Sequence, residues 1–415
     1  MPGIRKSLLQ LIFSGSSMRR WNDKLRPIPL VEVDKQAHKM IVAWVLFQLN
    51  SRGMTDDQKL NLGREIVEGG IFEYLYRLVI TDIKPPIFYQ IRANPAHYAQ
   101  LTDWVLEQLQ PRLQPLGQGF WSRMTEYVQN PDEGTTLGRR ILAAAHMFAS
   151  RWEFHLIRDL NNQDEEMEDI ENNFREGLSR HLDLSGMDEL MRAPDSPLGR
   201  FAHLCGQLRF QQRWSQTPRI PETSVLGHMF IVACFAYFFT MTIKGCRARL
   251  QNNFFAGLFH DVPELLTRDI ISPVKRSVQR IGDLIKEYEN RELKRRIFTL
   301  LTEGGYELLV ERLEYYLGVA CGSEFSDTIC VDGKGGEVNP AQLDQDYNQD
   351  RFDPKDGRLL KVCDNLAAFL EAYNASRNGI SNDDLQQAQW KIRSLYQHTE
   401  LGNGLHIGAL LADFD

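Results

Sequence analysis

Several things are scarce in this chain, and each scarcity excludes something. Six of 415 residues are cysteine (Cys205, Cys234, Cys246, Cys321, Cys330 and Cys363), and no two form a C-x-x-C pair. That spacing excludes zinc-finger chemistry and leaves reduced thiols and a cytoplasmic setting as the simplest expectation. Positive charge is not in excess: the formal net charge is −7 and the pI about 5.9, which argues against a general nucleic-acid binder and predicts no stable nucleic-acid partner. Long hydrophobic runs are missing as well. Leu8 to Phe13 is too short for a secretory core or a span, and Ile231 to Met241 is closed by Thr240 and Lys244, so it reads as a buried core helix with no membrane role. No phosphate-binding Gly-rich loop and no Ser-His-Asp pattern offers a mechanism.

Strand signals are few. Leu9, Ile12 and Phe13 fit a short helical face. Val42–Leu49, Trp104–Leu109, Leu142–Leu160, Val225–Met241, Ile281–Tyr316 and Leu359–Tyr373 also read as helices. Only Ser326–Val338, with Asp332-Gly333 and Gly335-Gly336, reads as a hairpin or loop. The predicted fold class is all-α.

What is present is a concentration of ligand-type residues. Phe255 to Pro273 packs His260, Asp261, Glu264 and Asp269 into a largely apolar stretch. Glu264 lies four residues after the histidine, which puts it on the same face if the backbone stays near-helical past Pro263. Such groups in apolar surroundings are costly unless paired or metal-bound. His228 stands at the start of a long apolar helix, and Asp364 is the one acid in Leu359–Phe369. Two imidazoles and two carboxylates make a mixed N/O site for one divalent ion (Mn, Co, Fe, Mg or Zn), at which water becomes a better nucleophile. Glu264 is placed to orient or deprotonate that water, and Asp269 to hold a leaving-group proton, to anchor a ligand hydroxyl or to cap a helix. Arg213 offers a planar fork for phosphate, while Trp214 can stack on a base or anchor packing.

The two halves also resemble each other. Arg20-Trp21 followed by His38 parallels Arg213-Trp214 followed by His228. Gly70-Ile-Phe-Glu-Tyr74 and Asp82 parallel Gly257-Leu-Phe-His-Asp261 and Asp269 at one offset, and Gly138-Arg-Arg parallels Gly357-Arg-Leu. An internal duplication is expected, with a degenerate first copy at residues 1–185 and an intact one at 186–415. The alignment sets His38 opposite His228, Glu73 opposite His260, Arg77 opposite Glu264 and Ala145 opposite Asp364, so the first copy has lost the metal site.

The order His228…His260-Asp261…Asp364 resembles the signature of the HD superfamily of metal-dependent phosphohydrolases. Gly257–Pro273 with Val274-Lys275, and Arg213-Trp214 upstream, are similar to its bacterial 5′-deoxynucleotidase branch. The resemblance covers roughly residues 198–373. It implies an HD helical bundle with metal ligands His228, His260, Asp261 and Asp364. It implies catalytic roles for Glu264 and Asp269, and substrate contacts by Arg213 and Lys275, with Trp214 beside them. One departure is Gly227, where that branch usually carries an acid. The expected activity is removal of phosphate from a nucleoside 5′-monophosphate or similar small phosphoester. Alternatives are an HD phosphodiesterase, a dNTP triphosphohydrolase, or a metal- or nucleotide-binding regulator. The expected assembly is a monomer with pseudo-dimeric halves or a homodimer.

Overall fold

The computed structural model describes residues 3–131, 136–267, 279–402 and 404–415. Helices dominate, as the sequence pattern predicts. The elements used below are α1 (Lys6–Ser14), α2 (Glu32–Asn50), α3 (Asp56–Ile80), α4 (Leu137–Ile157), α5 (Pro197–Gly206), α6 (Val225–Thr242), α7 (Arg247–Phe259) and α8 (Glu264–Thr267). They continue with α9 (Glu307–Leu317), a hairpin of β1 (Thr328–Val331) and β2 (Lys334–Glu337), and α10 (Gly357–Arg377). The hairpin lies where the glycines placed it. Its turn residues Asp332 and Gly333 both take positive φ (49° and 75°), the conformation that a two-residue hairpin of right-handed twist requires.

Ile281–Tyr316 is not one helix. A π-helical turn at Lys294–Phe298 interrupts it, and it ends at Glu303, before Gly304-Gly305, with Gly305 at φ 79°. Glycine accepts that left-handed conformation without a Cβ clash, so an apolar period that looks continuous in sequence is cut there.

The centre of the molecule is α6. It begins at Ser224, whose Oγ accepts the Gly227 N–H at 2.9 Å, and residues 225–240 are all buried. A helix that is apolar all round belongs in the middle of a bundle. By length and hydropathy it is the one described helix that could cross a membrane, yet 89% of it is covered by protein. Helix α7 packs on it closely, because Gly257 faces the backbone of Ala233: a Cβ there would lie 3.0 Å from the Ala233 Cα.

One continuous apolar cluster joins Trp44 of α2, Phe72 of α3 and Ile141 of α4 to Phe230 of α6, Phe255 of α7 and Leu366 of α10. Trp44 meets Phe259 edge-on with ring centroids 4.7 Å apart, and Tyr74 meets Phe230 at 4.9 Å. The ends of the chain cross over. The Lys6 ammonium of α1 donates to the Tyr373 hydroxyl at 2.9 Å, while the Ala202 carbonyl of α5 lies 2.9 Å from His38 Nε2 of α2.

Charge is buried beside this core. Arg20 donates to Glu32 at 2.6 Å and to Glu153 at 2.7 Å, and Arg209 donates to the other Glu153 oxygen at 2.8 Å. Burial alone would raise the Glu32 pKa. Arg20, Lys35 and Arg77 outweigh it and pull the value from 4.5 down to about 2. A depressed carboxylate stabilises the fold above its unfolded pKa, and that stability is lost as pH falls from about 4.5 toward 2. A drop of this size links to about 3 kcal/mol in a group that is almost fully buried. Urea unfolding of the metal-stripped protein at pH 6, 4 and 3 should show a steep acid limb, and Glu32→Gln should flatten it and lower stability at pH 6.

Candidate metal centre

Three helix ends and one helix face converge beside α6. His228 lies in the first turn of α6, held there by the Ser224 cap. Helix α7 stops at Phe259, since Pro263 removes a donor just beyond, and His260-Asp261 sit on the turn that follows. The Glu264 N–H donates to the Asp261 carbonyl at 3.0 Å, which starts α8 and ties this buried acid to the pair through the main chain. Helix α10, capped by Asp356, carries Asp364 on the face toward the histidines.

The structure brings the four expected ligands together. Asp364 Oδ1 lies 3.1 Å from His228 Nε2 and 4.0 Å from His260 Nε2. Asp261 Oδ2 lies 3.2 Å from His260 Nε2 and 3.8 Å from His228 Nε2. His260 Nδ1 is 2.8 Å from the Gly257 carbonyl, which can only accept, so Nδ1 carries the proton. His260 Nε2 faces the carboxylates and, though buried, makes no hydrogen bond of good geometry. His228, His260 and Asp261 bring their ligand atoms close enough together to hold a metal ion, and Asp364 Oδ1 lies beside both imidazoles, a mixed N/O set that fits a divalent cation.

The electrostatics prepare the ligands. Burial acts to raise both aspartates, but it loses. The His260 imidazole and then Arg213, whose Nη1 is 3.3 Å away, hold Asp261 well below the usual carboxylate range. Lys361, with Nζ 2.8 Å from Asp364 Oδ2, and the imidazoles do the same for Asp364. For His228, burial and Arg213 push downward, while contacts with Asp364 and Glu371 prevail and leave its pKa raised.

Glu371 was not read from the sequence, and it is central. It lies seven residues after Asp364, two turns along the same face of α10, just outside the apolar stretch that drew attention to Asp364. Oε1 is 3.4 Å from His228 Nδ1 and accepts from the Thr223 hydroxyl at 2.8 Å. Oε2 accepts from Trp214 Nε1 at 2.7 Å, and Arg213 Nε is 3.3 Å from Oε1. Burial opposes its ionisation, yet Arg213 and Arg219 hold its pKa far below the ordinary value. Such a carboxylate behind a ligating histidine sets the ring's orientation and basicity.

This changes the parts played by Arg213 and Trp214. Arg213 bridges Asp261 and Glu371, so the guanidinium orients a ligand and its support. Trp214 gives its N–H to Glu371 and lays its ring on the cluster of Ala372, Ala375 and Leu385, which is the packing-anchor arrangement. Lys361, also unread in the sequence, is a half-exposed cation at the mouth of the site. Beside it stands Phe325, whose ring centroid is 4.3 Å from Lys361 Nζ and 6.1 Å from that of His260. The Phe325 loop is pinned by the buried Lys355 ammonium, which donates to the carbonyls of Tyr316, Ser323 and Glu324 at 3.2–3.3 Å.

Gly227 also has a local reason. A Cβ there would lie 2.6 Å from Asp34 Oδ1, which takes the Ser224 hydroxyl proton at 2.6 Å. Asp34 of α2 thus occupies the space that a side chain before His228 would need. Asp269 and Lys275 fall outside the described residues.

Residues 205–393, a little under half of the chain, match the family described as HD domain. Neither the curated proteins nor the solved structures give a match. The family match covers all four ligands and Glu371.

Glu371→Gln should weaken metal affinity by about 10- to 100-fold, the usual effect of losing a carboxylate behind a ligating histidine. His38→Ala should leave metal affinity unchanged, because that ring lies against Phe148 and Trp152 with its Nε2 at the Ala202 carbonyl. Competition with a chromophoric chelator measures both.

Proposed function

We propose that the chain, with an HD domain at residues 205–393, is a metal-dependent phosphohydrolase that releases phosphate from a nucleoside 5′-monophosphate or a similar small phosphoester. The observation that carries this reading is the orphaned Nε2 of His260, aimed with His228 Nε2 at two ionised aspartates. His228, His260, Asp261 and Asp364 would hold the ion. A bound divalent ion supplies Lewis acidity, lowering the pKa of water and polarising a phosphoryl oxygen.

The remaining steps belong to side chains. Glu264, buried one short turn from Asp261, accepts the proton of the attacking water as the new P–O bond forms. The P–O bond to the sugar breaks, and the leaving alkoxide takes up the proton that Glu264 received. Asp269 keeps the expected part of anchoring a substrate hydroxyl. Lys361 is the cation at the mouth that can follow a phosphate oxygen, because half of its side chain is open to solvent. Lys275 keeps its expected contact with the phosphate. Arg213 acts through Asp261 and Glu371 rather than on the substrate, since both edges of its guanidinium face carboxylates.

The test is phosphate release from a panel of ribo- and deoxynucleoside 5′-monophosphates. Mn, Co, Mg and Zn are each added to metal-stripped protein. Metal-dependent release is expected, with loss of at least about a hundred-fold in Asp261→Ala, which removes a direct ligand. Release confined to triphosphates or cyclic nucleotides would overturn the monoester reading. Bound metal without turnover on any of them would point to a sensing role.

A further inference from the structure

The first half repeats the construction around the metal centre so closely that its differences can be read position by position. Arg20 N–H donates to the Leu30 carbonyl at 2.8 Å, and Arg213 N–H donates to the Thr223 carbonyl at 2.9 Å. Bridges join Arg19 to Val31 and Gln212 to Ser224. Trp21 and Trp214 share the same left-handed backbone, φ 56° and 57°. All of these pairs lie 193 residues apart. Trp21 Nε1 and Arg20 Nε both donate to Glu153, as Trp214 Nε1 and Arg213 Nε do to Glu371. Glu153 stands in α4 where Glu371 stands in α10, 218 residues on.

These two offsets correct the alignment drawn from the sequence. At 193, the counterpart of His228 is Lys35, not His38, a slip of three residues. At 218, the counterpart of Asp364 is His146, not Ala145. Lys35 Nζ then donates to His146 Nδ1 at 2.7 Å, where His228 Nε2 lies 3.1 Å from Asp364. Glu73, opposite His260, is paired with Lys39 and accepts from the Tyr127 hydroxyl at 2.6 Å. Glu32 lies 3.8 Å from Lys35.

We infer that the first half holds a second centre of the same design in which the ammonium groups of Lys35 and Lys39 stand in place of the divalent ion. Both lysines are fully buried, and their charges oppose those of Glu32 and Glu73. Lys35 lies beside Glu32, which Arg20 also holds, and Lys39 pairs with Glu73, so cationic side chains fill the place that lies between Asp261 and Asp364 in the second half. Burial, the largest influence, pulls the Lys35 pKa down to about 7, with Glu32 opposing it. With almost no contact with solvent, both lysines belong to the framework of the fold. The chain accordingly carries one exchangeable metal, and the first half serves as a metal-independent partner for the second. This goes beyond the catalytic reading and does not depend on the substrate.

The test counts ions and follows unfolding, with no turnover assay. Metal-stripped wild-type protein, saturated with Mn and analysed by elemental mass spectrometry after dialysis, should hold one ion per chain, and Asp261→Ala none. Two ions in the wild type, or one retained in Asp261→Ala, would overturn the inference. In the Asp261→Ala background, Lys35→Ala should lower Tm, and added Mn should restore about half or more of the loss by entering the vacated centre. A Tm loss that Mn leaves untouched would also overturn it. Should Lys35→Ala fail to fold, the wild-type ion count decides alone.

Discussion

Everything around the centre follows from one constraint: an ionised carboxylate cannot be left without a partner inside an apolar bundle. Glu32, Glu153, Asp364 and Glu371 all lie against the central helices. In the first half, Arg20, Arg209, Lys35 and Lys39 answer Glu32, Glu153 and Glu73 from within the chain. In the second, Arg213 and Lys361 serve Asp261 and Asp364 from one side, while both carboxylates also face two imidazoles in place of a cation. That residual need is what a cation answers. The same skeleton thus becomes a closed structural element or an open ligand set according to whether a lysine or a histidine stands in the first turn of its core helix.

Much of this was legible in the sequence, for identifiable reasons. His260-Asp261 before a proline, and an acid inside an apolar helix, are costly patterns that chemistry alone excuses, so those ligands stood out. Glu371 did not, because its cost is offset by Thr223, Trp214 and Arg213, which come from a loop about 150 residues earlier. Lys35 was hidden for a related reason: a lysine in an amphipathic-looking helix reads as solvated, and only the contact with His146 shows otherwise. The all-α class followed from apolar periodicity. The break at Gly304-Gly305 did not, since a period carries across a turn that resets the backbone.

The two roles imagined for Arg213 and Trp214 illustrate the same limit. An arginine suggests a phosphate fork and a tryptophan suggests base stacking, because those are their most specific uses. Here both are spent on Glu371. Arg20, Trp21 and Glu153 make the same clamp in the first half, beside Lys35 rather than a histidine, which supports that reading.

The burial of α6 has a consequence for how the protein lives in time. His228 is fixed at the end of a helix that cannot leave the core without dissolving it, while Asp261 and Asp364 keep partial contact with solvent. The inner wall of the centre is therefore as long-lived as the fold itself, whereas its outer wall is open from the moment folding ends. An ion arrives at a finished receptacle and can leave without breaching it. Because the ion binds the folded chain, cellular metal supply governs how many molecules are charged and adds to the stability of those that are.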